Sequence, residues 1–137
     1  MASEMWSELS VQFTLRGVDL DPVEITNSLG LEPTKTWRAG ERVSAIVVPR
    51  FYTDSAWRLH SGLPDTINLE EQIKSLLDRL EPVWPIAVEL GNRHYAEFSC
   101  VVYSYGGDRP AISFDNEVIR RVAELNAAID VDRYILT

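Results

Sequence analysis

The chain has 137 residues, of which 45% are hydrophobic and 25% charged, a size and balance that suit one α+β domain over residues 1–137 with its own core. Thirteen Lys and Arg stand against 21 Asp and Glu, a formal charge of −8 with a pI near 4.7. That balance speaks against nucleic acid and anionic membranes as partners, since both need a basic surface. The single cysteine, Cys100, excludes an internal disulfide.

Taken in chain order, residues 10–16 alternate, with Val11, Phe13 and Leu15 on one side and Gln12, Thr14 and Arg16 on the other, the pattern of a half-buried strand. Asp21-Pro22-Val23-Glu24 reads as a helix start, with Asp21 as cap, Pro22 in the first position and Glu24 closing the box; Ile25 and Leu29 form its apolar stripe and Gly30 its stop. A loop over 32–41 follows, then two short strands over 45–48 and 56–60. Asn68 caps the clearest helix, whose stripe runs Leu69, Ile73, Leu76, Leu77, Leu80 before Pro82 and Pro85 end it. Ile86, Val88 and Leu90 alternate as a strand, Gly91-Asn92 suits a hairpin turn, and residues 95–105 make the longest strand. Gly106-Gly107 breaks it, and a third helix follows, capped by Ser113 or Asp115 and carrying Val118, Ile119, Val122 and Leu125. Asn126 takes its left-handed stop and a last strand covers 130–136. The expected architecture is a ferredoxin-like βαββαβ unit extended by a further βαβ half, an antiparallel sheet with helices on one face.

Several of these residues form a recurring pattern: Leu29-Gly30-Leu31, Pro33-Thr34, Trp37, Gly40-Glu41, Trp57-Arg58-Leu59, Ser61, the helix over 69–80, and Asp130-Val131-Asp132 with Tyr134. In this order and spacing they resemble the bacterial family known as domain of unknown function 4279, over about Val11 to Tyr134. Asn126 stands where the family more often has Gly, a change the same turn accepts. The resemblance implies an intracellular bacterial α+β domain and brings no assigned catalytic residues.

Candidate site residues are Trp37, Arg38, Glu41, Arg58, His60, Asp130 and Asp132. Trp37, in a Gly-bounded loop, either stacks on a ligand or plugs the end of the core, the plug being favoured; Glu41 either pairs with Arg38 or Arg42 or receives a substrate. Arg58 points opposite Trp57 and Leu59 and lines a polar groove, with His60 ending the same strand. Asp130, Asp132 and Tyr134 share one strand face, where paired carboxylates serve as acid and base, bind a hard cation, or simply pair with arginines and cap turns. Cys100, between Phe98 and Val102, reads as a buried small hydrophobe. His60 and His94 stand in no zinc spacing, His94 is expected to be exposed beside its hairpin, and Gly106-Gly107 lacks the Gly-Lys-Ser/Thr of a phosphate loop, so no metal, cofactor or catalytic set is expected.

The leading functional expectation is therefore a non-catalytic, cytoplasmic protein-binding module, possible in an immunity-type form that neutralises a basic partner. Its basis includes the aromatics Tyr103 and Tyr105, expected to be exposed. The cytoplasm is expected because residues 1–10 show no basic start and no apolar run. The alternative is a small-ligand sensor or enzyme with a polar groove around Trp37, Arg38, Glu41 and Arg58. A homodimer through an exposed edge such as the strand over 95–105 is a third possibility.

Overall fold

The computed structural model describes residues 4–44 and 46–136. Strand β1 (Trp6–Gly17) leads into helix α1 (Pro22–Leu29), then strands β2 (Lys35–Trp37) and β3 (Ser55–His60). Helix α2 (Leu69–Leu80) passes through a single 3-10 turn (Glu81–Val83) into α3 (Trp84–Arg93), and β4 (Tyr95–Tyr105), α4 (Asn116–Glu124) and β5 (Ala127–Leu136) follow.

The strands form one five-stranded sheet in the order β2-β3-β1-β4-β5. β1 pairs antiparallel with β3 and with β4, and β2 pairs antiparallel with β3. β5 runs parallel to β4. The sheet is therefore mixed, a correction to the antiparallel expectation: α4 carries the chain back across the sheet, so its next strand must run the same way as the one before. β4 is also an interior strand, flanked by β1 and β5, which removes it as a dimerisation edge; the long free edge belongs to β5.

Alternation along the strands sorts their side chains. Val11, Phe13 and Leu15 of β1, Trp57 and Leu59 of β3, and Ala96, Phe98, Cys100 and Val102 of β4 are buried and share one core with the stripes of all four helices. The helices thus lie on a single face. Within it, Asp21 caps α1 by accepting from the Val23 amide, Asn68 caps α2 by accepting from Glu71, Asp115 caps α4 by accepting from Val118, and Gly30 and Asn126 stop their helices at φ 68° and 55°.

Two expected strands are absent. Residues 84–93 are helical: Ile86, Val88 and Leu90 follow at steps of two, but Ile86 and Leu90 are also four apart, so the same residues satisfy a helical period, and Pro85 opens this helix rather than closing the one before it. Gly91 is consequently no hairpin residue. It faces the end of α4, where a Cβ would run into the Leu125 carbonyl oxygen, and its own carbonyl accepts from the Asn126 amide side chain. Residues 46–48 lie in an irregular loop with Val47 and Val48 exposed, because no face of that segment meets the core; Ala45, the start of the expected strand, is outside the described residues. The outer partner of β3 is instead β2, inside the segment read as loop. Ile119 is exposed, not part of the buried face of α4.

A buried glutamine joins helix to sheet. β3 ends opposite Gln12, so beyond that point the β1 edge on the β3 side lacks a strand partner. Gln72 of α2 supplies one. Its Oε1 accepts from the Val11 amide at 3.1 Å and from Ser61 Oγ at 2.8 Å, while its Nε2 donates to the Leu9 and Ile67 carbonyls at 2.7 and 2.9 Å.

Candidate functional site

The face of the sheet away from the helices is built from the other half of each strand. Register places Trp37, Ala56, Arg16 and Tyr95 in one row across β2, β3, β1 and β4. The next row holds Lys35, Arg58, Thr14 and Glu97, followed by His60, Gln12, Ser99 and Asp130. Val101 and Asp132, Tyr103 and Tyr134, then Tyr105 and Leu136 continue it along β4 and β5.

In the middle of this face lies a groove of about 480 Å³ lined by Gln12, Arg16, Arg58, Glu97, Ser99, Val101, Asp130 and Asp132. Its floor is a chain of hydroxyls and carboxylate. Thr14 and Ser99 share a hydrogen bond of 3.1 Å, Ser99 donates to Glu97 Oε2 at 2.6 Å, and Tyr95 donates to Glu97 Oε1 at 2.9 Å. Arg16 lies over the Tyr95 ring, 5.0 Å from its centroid, and Arg58 over the Trp37 ring at 5.1 Å. Among the described residues neither arginine makes an ion pair or a side-chain hydrogen bond, and the Nε of each is buried without a partner. Burial, and then the Arg16 cation, pull the Arg58 pKa below its ordinary value. Desolvation, Asp132 and Glu97 push Asp130 above the ordinary value of a carboxyl. No set of three His, Cys or carboxylate side chains comes together to hold a metal among the described residues.

The structure thus brings Arg58, Asp130 and Asp132 around one groove, with Trp37 stacked against its arginine end. Trp37 is closed to a stacking ligand, because Tyr52 lies against its ring at 4.6 Å and 16° and the two cations Lys35 and Arg58 approach it as well. Arg38 is elsewhere: it pairs at 2.9 Å with Asp21, the cap of α1, and holds that carboxyl below its ordinary range. Glu41 makes no ion pair among the described residues and serves through its backbone, donating to the Arg38 carbonyl and accepting from the Tyr52 amide. Both expected pairings of Glu41 are therefore replaced. His60 lies on the same face at the end of β3, where its Nδ1 accepts from the Gly62 amide at 2.9 Å. His94 is half-buried at the end of α3, where burial and then Arg93 lower its pKa. Cys100 is buried on the helix side, its thiol pushed up to about 12 by burial, and so is no nucleophile.

The model of the family described as domain of unknown function (DUF4279) matches residues 7–136, nearly the whole chain. The chain belongs to that family. No curated protein and no solved structure matches it. In this DUF4279 domain, Gln12, Arg16, Glu97, Ser99 and Val101 line the groove without being candidates from the sequence. Their signal was present as the outward half of two alternating strands, but only the β1–β4 and β1–β3 registers put them beside Arg58. Trp6, exposed, stacks on Tyr105 at 4.4 Å and 7°, and the exposed Tyr103 and Tyr134 stack at 5.0 Å and 19° farther along the same face; Tyr105, expected to be exposed, is half-buried. Among the described residues no helix is long and apolar enough to cross a membrane.

Proposed function

We propose that this DUF4279 domain is a non-catalytic binding module of the bacterial cytoplasm, and that its recognition surface is the helix-free face of the sheet. The observation that carries this reading is the placement of the Tyr103–Tyr134 stack beside Asp132 on a surface that no helix covers. Rigid aromatics anchor protein interfaces with few rotamers to freeze, and the acidic charge around them favours a cationic partner. An immunity-type role against a basic protein fits both features. We also read β1 to β4 as the ferredoxin-like unit, supported by the order β2-β3-β1-β4 with antiparallel neighbours throughout.

The test is affinity capture at low and moderate salt with the wild type, with a Tyr103→Ala/Tyr134→Ala double variant, and with Ile119→Ala as an exposed control on α4. The expected result is a stoichiometric basic partner held by the wild type and the control, weakened by salt and lost from the double variant. A partner that survives in the double variant assigns recognition to another surface, and an empty capture by the wild type removes the protein-binding reading.

The second reading, a small-ligand sensor, rests on the groove itself, where Arg16 and Arg58 face Glu97, Asp130 and Asp132 without pairing to them.

A further inference from the structure

The charges in the groove are sorted. Arg16 and Arg58 stand on β1 and β3, whereas Glu97, Asp130 and Asp132 stand on β4 and β5. With neighbouring strands about 4.8 Å apart, the β3 and β5 backbones are about 14 Å apart across the face, so a cationic wall led by Arg58 and an anionic wall of Asp130 and Asp132 face each other across the groove, with Arg16 and Glu97 on the adjacent strands between them. Elsewhere in the molecule four cations, Arg38, Lys74, Arg93 and Arg121, meet carboxylates directly. Arg121 lies 3.2 Å from Asp78 and from Glu81, and Lys74 lies within 3.6–3.8 Å of Glu70, Glu71 and Asp115. In the groove the guanidiniums rest on Trp37 and Tyr95 rings instead, a contact that fixes a cation without occupying its N–H donors.

We propose that this groove binds a zwitterionic small molecule, an amino acid or a short peptide, with its carboxylate toward Arg16 and Arg58 and its ammonium toward Asp130 and Asp132. The inference rests on the helix-free face being a recognition surface and is independent of a protein partner. A ligand carrying only negative charge meets three carboxylates, and one carrying only positive charge meets two arginines. A molecule with both ends offers each wall its complement. The planar, five-donor guanidinium suits a carboxylate, which it can hold bidentately. Among the described residues the terminal guanidinium nitrogens of both arginines make no hydrogen bond, so their donors are open to a carboxylate, while the Nε atoms are buried without a partner.

Isothermal titration with matched probes tests this. β-Alanine, γ-aminobutyrate, δ-aminovalerate, alanine and dialanine carry both charges; butyrate and butylamine carry one each. The expected result is that at least one zwitterion binds about tenfold or more tightly than both single-charge controls, and that Arg58→Gln and Asp130→Asn each weaken it about tenfold. Asp130 is exposed, so Asp130→Asn keeps the test open should Arg58→Gln fold poorly. Butyrate binding as tightly as the best zwitterion turns the groove into a plain anion site, and butylamine doing so turns it into a cation site; either overturns the proposal. So does the absence of binding by every probe up to about 10 mM, an outcome that leaves the capture experiment on the Tyr103–Tyr134 end to be judged on its own result.

Discussion

The two faces of the sheet are made by the same strands, residue by alternate residue, yet they solve opposite problems. On the helix side Phe13, Leu15, Trp57 and Phe98 are sealed, and Gln72, a polar group deep among them, has its hydrogen bonds completed by β1, Ser61 and Ile67; only Ser104 Oγ, toward the end of β4, is buried there without a partner among the described residues. On the open side Arg16 and Arg58 are held in place by flat rings and keep donors unpartnered among the described residues. A fold gains stability by completing interactions and gains binding capacity by positioning groups without completing them. The contrast places stability on one face and recognition on the other.

Substitutions can break that contrast or sharpen it. The largest effect is expected from Phe98→Ala, which removes a fully buried ring packed against Phe13 at 5.1 Å; denaturant unfolding should show a loss of about 3–5 kcal/mol. Gln72→Ala strips the Val11 amide and the Leu9 carbonyl of their partner, and a loss of about 2–3 kcal/mol is expected in the same assay. Gly91→Ala forces α3 away from the Leu125 carbonyl and should cost about 1–3 kcal/mol. Tyr134→Ala on the open face should cost about 1 kcal/mol or less. A loss as large as that of Phe98→Ala would make the open face structural and dissolve the contrast.

The smallest effects are the most telling, because their signs differ between regions. Asp130 is held above its ordinary pKa, so the native state binds its proton more tightly than the unfolded chain does. Its contribution to stability is present at acid pH and is lost as pH rises through the folded value. Asp130→Asn should therefore raise the melting temperature slightly at pH 7 and leave it unchanged near pH 3. Asp21, held low by Arg38 and the Val23 amide, behaves in the opposite way, since its contribution is present above the ordinary carboxylate pKa and lost as pH falls through the folded value. Asp21→Ala should lower the melting temperature at pH 7, with the difference fading in acid. Thermal scans of both variants across that range check the two signs together.

Where local chemistry decides, the sequence is legible. Asp21, Asn68 and Asp115 cap as their side chains require, Asn126 and Gly30 take positive φ, and the alternation of residues 10–16 and 95–105 sorts core from surface. Where partners decide, it is not. The run around Ile86, Val88 and Leu90 fits either period, and only packing of Ala87, Leu90 and Gly91 against the core selects the helix. The β-branched residues at 46–48 have strand propensity but no face to bury. At the groove, Arg58, Asp130 and Asp132 could be named from their strand faces, whereas Arg16 and Glu97 could be placed beside them only by strand order. Arg38 and Glu41 follow Trp37 within four residues, but they turn to α1 and to the Tyr52 backbone.

The central position of β1 also governs when the chain can fold during synthesis. It is the first strand made, and its whole β4 edge waits for residues 95–105: Arg16 pairs with Tyr95 and Trp6 with Tyr105. Until those residues leave the ribosome, Val11, Phe13 and Leu15 belong to an unpaired strand edge of the kind that other nascent chains can join. Such long-range pairing slows folding relative to a helical bundle of the same size. Translation of the last third of the chain is therefore the interval in which this protein is most in need of protection.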